Sequence, residues 1–166
     1  MTQALLNLLE VIKTVRKKII DFHGEIESEN QCYVKYIEDR LDDELLIVSQ
    51  QFRVTKSAAL MLCAILDMYI KSDGIRINFI TINDIKNFFH PEFFTSTIIF
   101  RDRIWELEEK NILELKDIDH YPVRIFYETD RTQNDYYLLP AKRSFMPFAN
   151  KKIELTHSFI NKLKQL

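Results

Sequence analysis

The chain contains very few residues that break helices, since its 166 residues include only two glycines and four prolines. Glycine and proline bend or end helices and supply the turns of loop-rich folds. Their scarcity, together with 46% apolar residues for a core, favours long helices over an all-β fold. The length suits one domain, or one domain with an appendage. We therefore predict a mainly helical fold of the α+β kind.

Two amphipathic stripes occupy the first third of the chain. Apolar residues recur at spacings of three and four, which predicts one helix over residues 3–22 and a second over residues 34–52. Together they form a predicted helical N-terminal extension, residues 1–53. Such stripes pack within their own fold or pair with another chain, and both alternatives stay open. The stripes consist of Leu5, Leu8, Ile12, Val15, Ile19 and Phe22, and of Val34, Ile37, Leu41, Leu45, Val48 and Phe52.

From residue 55 the pattern predicts two capped helices with a short strand between them. Thr55 is a good N-cap for a helix that runs to about residue 71. Residues 75–80 alternate apolar and polar side chains, as a short strand does. Thr81 caps the next helix, with Asp84 three residues on as its capping-box partner.

A third helix and a β-hairpin are predicted next. The helix begins near residue 95 and ends at Asn111, a residue type that tolerates the left-handed conformation of a helix C′ position. Residues 121–129 and 136–139 are rich in β-formers and flank a polar turn, which predicts the hairpin. The predicted order from residue 55 is thus helix, short strand, helix, helix and two-stranded wing.

This order resembles that of winged-helix domains, a variant of the helix-turn-helix fold. The matching residues are Phe52-x-Val54-Thr55, Ile80-Thr81-Ile82 and Arg103-Ile104-x-x-Leu107-Glu108-x-x-Asn111-Ile112-Leu113. The last string is similar to the winged-helix phrase arginine–aliphatic–x–x–leucine–glutamate–x–x–glycine–aliphatic–aliphatic, with Asn111 where glycine is usual. The resemblance covers about half of the chain. Winged helices serve both DNA binding and protein assembly, so the resemblance leaves function open.

The resemblance implies three regions. A winged-helix core with a small antiparallel β-wing spans residues 54–140. The helical extension, residues 1–53, precedes it. A C-terminal helical segment, residues 141–166, follows and ends in a helix capped by Thr156.

A narrower resemblance points to the N-terminal region of certain bacterial AAA-type ATPases, in which a winged-helix region precedes the motor. It rests on the helical extension and on the phrase Phe52-x-Val54-Thr55-x-x-Ala58. It implies a bacterial protein in which this module is the front end of an ATPase. The motor has no counterpart here, because the sequence contains no GxxxxGK[ST] and two glycines cannot build a phosphate-cradling loop.

No group of residues suggests catalysis, a metal or a cofactor. The four histidines are far apart, without HxH or HxxxH spacing. The carboxylates lie in charge-rich helical stretches, typical of solvated faces rather than acid–base pockets. Cys32 and Cys63 form no CxxC pair and are expected to be reduced, buried thiols of a cytoplasmic protein. The sequence shows no signal-peptide pattern and no membrane-length apolar run, so we predict no membrane span. Because no catalytic group is recognisable, we also predict no enzyme and no small-molecule substrate.

The outward face of the third helix bears on the kind of partner. In a DNA-reading winged helix this helix enters the major groove, and its outward face carries polar or basic residues. Helical geometry places Phe100, Ile104 and Leu107 inward. The outward face is predicted to consist of Ile98, Asp102, Trp105, Glu106 and Glu109. Its carboxylates would repel phosphates, and an exposed tryptophan ringed by acids is typical of a protein-interaction hot spot. The alternative for Trp105 is burial under the N-terminal helices.

We therefore predict an interaction or regulatory module that docks a protein partner, or a second copy, through this face and the N-terminal helices. The alternative is a DNA-binding transcriptional regulator that dimerises through the N-terminal helices. Its DNA contacts would be Lys13, Arg16, Lys17, Lys18, Lys142 and Arg143. The net charge of −2 gives this alternative no general basic excess.

Overall fold

The computed structural model describes residues 2–23, 25, 33–71, 80–89, 98–117 and 148–166. Within these residues the fold is mainly helical with a small three-stranded antiparallel sheet, which confirms the predicted fold class. Short 3-10 turns precede α6 and β3, at Ile98–Phe100 and Phe148–Asn150. The helices are α1 (Gln3–Phe22), α2 (Tyr33–Arg40), α3 (Asp42–Phe52), α4 (Lys56–Lys71), α5 (Ile82–Phe89), α6 (Arg101–Glu109) and α7 (His157–Gln165), and the strands are β1 (Ile80–Thr81), β2 (Leu113–Lys116) and β3 (Lys152–Leu155).

The first predicted helix is confirmed over its whole length as α1. The Thr2 hydroxyl caps it by accepting the Leu5 N–H at 3.3 Å. Its stripe is buried from Leu8 to Phe22 and belongs to the same hydrophobic cluster as α4. This apolar stripe is therefore covered by the chain's own fold.

The second predicted helix is in fact two helices, α2 and α3, which meet at Leu41. The φ of −108° and ψ of 21° at Leu41 interrupt the regular helix. Hydrogen bonding continues through the bend, because the Leu41 N–H donates to the Ile37 carbonyl and the Leu45 N–H to the Leu41 carbonyl. The prediction of one helix over residues 34–52 was therefore wrong. The spacing of the apolar residues could not reveal the bend, because the stripe stays buried on both sides of it.

Helix α4 forms the centre of the core. Thr55 caps it as predicted, its hydroxyl accepting the Ala58 N–H at 3.2 Å. Every residue from Ala58 to Asp67 is buried, because α1, α3 and α6 all pack on this helix. The guanidinium of Arg16 on α1 meets the Asp67 carboxylate at 2.7 Å. The N-terminal helices thus share one core with the elements that follow them.

Cys63 lies within this buried run, and its burial raises the pKa of its thiol to about 12. Because the thiolate is the reactive form, we expect Cys63 in a Cys32→Ser variant to resist alkylation at pH 8 until the protein unfolds. Stability should also fall as the pH rises from about 9 towards 12, since the unfolded chain ionises first. The rate of thiol labelling with and without denaturant measures the first effect. Equal rates would place Cys63 outside the core.

The sheet has the order β1-β3-β2, with β3 at its centre. Ile80 pairs with Ile153, and Leu113 pairs with Leu155. The central strand lies inside residues 141–166, which were predicted to be helical. That prediction was therefore wrong for the strand. The hairpin predicted over residues 121–129 and 136–139 lies outside the described residues.

Three predicted local signals besides Thr55 are confirmed. The Thr81 N–H donates to the Asp84 carboxylate at 2.8 Å, and the Asp84 N–H donates back to the Thr81 hydroxyl at 3.3 Å. Thr156 caps α7 by accepting the Phe159 N–H at 3.1 Å. Asn111 adopts a φ of 57° just after α6, the left-handed conformation expected of a C′ residue.

Candidate functional site

The inward face of α6 is the one predicted. Phe100, Ile104 and Leu107 are fully buried. The Phe100 ring stacks on Phe89 of α5, with 5.6 Å between the ring centroids. These contacts fix which side of α6 faces solvent.

The outward face of α6 carries an exposed aromatic residue between two exposed acids. Trp105 is 46% exposed, so the N-terminal helices do not cover it. Asp102 and Glu109 lie on the same side of the helix and are also exposed. The side chain of Ile98 lies outside the described residues. We call Asp102, Trp105 and Glu109 the Trp105 face.

Arg101 lies beside Trp105 and contacts two aromatic rings. Its guanidinium carbon is 5.3 Å from the centroid of the Trp105 ring and 5.5 Å from that of Phe148. Cation–π contacts of this kind hold an aromatic side chain in place. The contact with Phe148 was not predicted, because 47 residues separate it from Arg101 in the sequence. The exposed indole is thus held by its neighbours on one side.

Glu106, which was predicted to contact a partner, forms hydrogen bonds within the fold. Its carboxylate accepts the Thr55 N–H at 2.8 Å and the Thr55 hydroxyl at 2.5 Å. Through these bonds it ties α6 to the start of α4. Its geometry is that of a structural residue beside the Trp105 face, and sequence spacing gave no signal for this contact.

Arg103 fixes the first turn of α6 to α2. Its Nε and Nη2 donate to Oε1 of Glu38 at 2.9 and 2.8 Å, and its Nη1 donates to the Ile99 carbonyl at 2.8 Å. The Glu38 side chain is only 8% exposed. The Arg103 guanidinium is therefore engaged by contacts within the fold.

The carboxylates of α6 differ from most others in the described chain. Asp102, Glu106, Glu108 and Glu109 form no ion pair with any described cation. By contrast, Glu38 pairs with Arg103, Asp67 with Arg16 and Glu44 with Lys18. A cluster of unpaired carboxylates produces a negative local potential, which attracts cationic groups and repels phosphates.

The basic residues proposed to contact DNA are largely engaged elsewhere. Lys13 pairs with Glu10 at 3.0 Å, Arg16 with Asp67, and Lys18 with Glu44. Lys17 is exposed and has no ion pair among the described residues. Lys142 and Arg143 lie outside the described residues. Of the four residues of this set that the structure describes, three are therefore ion-paired within the chain.

The described residues contain no group of three or more His, Cys, Asp and Glu side chains arranged to hold a metal ion. They also contain no helix whose length and apolar character would let it cross a membrane.

No family model, curated protein or solved structure matches the chain.

Proposed function

We propose that this chain is a non-catalytic winged-helix interaction module, which docks a protein or a second copy of itself through the Trp105 face. The observation that carries the proposal is an indole 46% exposed on α6, between two exposed carboxylates that have no ion pair in the described chain. Tryptophan is strongly enriched among residues that dominate binding energy at protein interfaces. Acids beside it would select a partner with basic groups around an apolar site.

The order of elements supports the winged-helix part of the proposal. Helix α4, strand β1 and helices α5 and α6 follow one another in the predicted order, and two further strands, β2 and β3, which were not predicted, pair antiparallel after them. The left-handed Asn111 occupies the position where the resembled phrase has glycine. In this proposal α6 is the third helix of the winged helix, the element that would face a ligand.

The same geometry disfavours the alternative of a DNA-binding regulator. The side of α6 that would enter the groove is acidic, so it would repel the phosphate backbone. The α1 stripe that would join two subunits is buried within the chain. Of the described candidate DNA contacts, only Lys17 has no ion pair.

We therefore expect no micromolar binding to random duplex DNA at low salt. Three of the four described candidate cations are ion-paired within the chain, so we expect little counterion release to drive association. Fluorescence anisotropy of labelled duplex, titrated with the protein, measures it. Micromolar affinity that falls steeply with salt would instead establish the DNA-binding alternative.

Replacement of Trp105 tests whether this residue serves the surface or the core. We expect Trp105→Ala to reduce the free energy of unfolding by only about 1 kcal/mol, chiefly through loss of the contact with Arg101. The matched control is Ile104→Ala, one residue away and fully buried, which should cost about 2–5 kcal/mol. Urea denaturation of both variants measures the difference. Equal losses would make Trp105 a core residue and remove the basis of the proposal.

A further inference from the structure

A basic depression lies between the end of α3 and helix α7. It has a volume of about 470 Å³ and is lined by Gln51, Phe52, Arg53, Lys162, Gln165 and Leu166. The Phe52 ring packs on Phe159, with 5.2 Å between the centroids, so the depression has an apolar wall continuous with the core. Its volume is in the range of about 300–1,000 Å³ typical of pockets that bind organic ligands, which leaves room for an indole ring.

The two cations of the depression are not neutralised by the described chain. Arg53 and Lys162 are both exposed, and neither forms an ion pair with a described carboxylate. Helix α7 contains no acidic residue of its own. The depression therefore combines an apolar wall with two available positive charges.

The backbone at Arg53 is held in an uncommon conformation. Its φ of 56° and ψ of 48° are left-handed, a region that glycine occupies without cost and other residues occupy at a cost. The Ser49 hydroxyl donates to the Val54 carbonyl at 2.5 Å, and the Val54 N–H donates to the Ser49 carbonyl, which fixes this turn. A long cationic side chain thus stands where a helix end would ordinarily favour glycine. Strain that persists in a fixed turn is often found at binding sites.

The depression and the Trp105 face are complementary in charge. One presents an aromatic ring between two carboxylates, Asp102 and Glu109, that have no ion pair among the described residues. The other presents a mostly polar hollow with one apolar wall at Phe52 and two cations, Arg53 and Lys162, that have no ion pair there either. We infer that the occupant of the depression is a second copy of this chain, whose Trp105 enters the hollow while its two carboxylates pair with the two cations. This inference rests on the proposed function of the Trp105 face and names its partner.

The two surfaces lie on neighbouring elements of the fold. Thr55, two residues after Arg53, is bound by Glu106 of α6. Thr156, the cap of α7, donates its hydroxyl to the carbonyl of Asn111 at 2.6 Å, just after α6 ends. In the inferred dimer, two copies related by a two-fold axis exchange both contacts, each giving its Trp105 to the other. Such an interface closes on itself, so the expected product is a dimer.

Sedimentation velocity over a range of protein concentrations tests the inference. The wild-type chain should form a dimer that weakens as salt rises from about 50 to about 500 mM, because screening reduces the attraction between exposed charges. Trp105→Ala should weaken dimerisation at least about 30-fold, the loss expected of an interface hot spot.

Charge-reversed variants provide a more specific test of the two contacts. A variant with Arg53→Glu and Lys162→Glu should be monomeric, and so should a variant with Asp102→Lys and Glu109→Lys. An equimolar mixture of the two variants should dimerise again, because each acidic surface then meets a basic one in both contacts. A control with Lys13→Glu and Lys17→Glu changes the same kind of charge on α1, away from both surfaces, and should dimerise like the wild type. Circular dichroism checks that each variant keeps its helices.

Dimerisation restored only in the mixture establishes the inference. It is overturned if the wild type stays monomeric at all concentrations, or if the mixture stays monomeric while the wild type dimerises. Either result would leave the Trp105 face free to dock a different protein, so the failure of this inference can be told apart from failure of the proposed function.

Discussion

Replacing Arg103 with alanine is expected to reduce the free energy of unfolding by about 3 kcal/mol or more, because it leaves the Glu38 carboxylate charged, buried and unpaired. The Glu38 side chain is 8% exposed and that of Arg103 is 22% exposed. Arg103 supplies two hydrogen bonds to Glu38 and a third to the Ile99 carbonyl. Loss of these bonds also detaches the first turn of α6 from α2. Urea denaturation followed by circular dichroism measures the change.

Two comparisons isolate the ion pair. Combining Arg103→Ala with Glu38→Ala should cost clearly less than the sum of the single changes, since the double variant leaves no buried charge behind. Lys35→Ala breaks the exposed pair of Lys35 with Asp39 on the surface of α2 and should hardly change stability. Additive single losses, or a loss from Arg103→Ala no larger than that from Lys35→Ala, would contradict this account of how α6 is held.

Phe100→Ala is the second substitution with a large expected effect, a loss of about 3–5 kcal/mol. The Phe100 ring is fully buried and stacks on Phe89, which meets Phe88 edge to face with centroids 5.3 Å apart. Alanine would leave a cavity between α6 and α5 and would interrupt this aromatic row. The midpoint and slope of a urea titration give the change in stability.

Phe100→Leu is the matched control, because it keeps most of the apolar volume and should lose clearly less. If the alanine and leucine variants are equally stable, the aromatic row does not hold α6 in place. A loss shared by both variants but no larger than that of Trp105→Ala would also contradict the inward and outward faces assigned to α6.

Local signals in the sequence predicted much of this fold. The caps at Thr55, Thr81 and Thr156 were predictable because a capping side chain bonds backbone groups two or three residues away. The left-handed conformation of Asn111 was also predictable, because it depends only on the residue type and on its position just after α6. The spacing of the α1 stripe predicted which side of the helix is apolar, while only the structure shows that the chain's own fold buries it.

Features that depend on distant residues were not predictable. Strand β3 has only four residues, too few for a clear alternation, and it exists because β1 and β2 pair with its two edges. The bend at Leu41 leaves the apolar stripe unchanged, so periodicity could not show it.

In the candidate site, too, local features were predictable and contacts between distant residues were not. Helical geometry predicted that Trp105 and its acidic neighbours point away from the α6 core, but only the packed structure shows whether anything covers them. The bonds from Glu106 to Thr55 and from Arg103 to Glu38 join residues more than fifty positions apart. No spacing rule reaches that far, so their structural roles had to be found in the fold.

The most direct test of the Trp105 face as a docking surface is photo-crosslinking in the cell. A photo-reactive amino acid replaces Asp102 in one variant and, as the control, the exposed Asp43 on α3 in another. We predict discrete protein adducts from position 102, at twice the chain mass for a second copy, that disappear when Trp105→Ala is added. Position 43 should give none of them. Adducts shared by both positions, adducts that survive Trp105→Ala, or crosslinks from position 102 to nucleic acid would contradict the account.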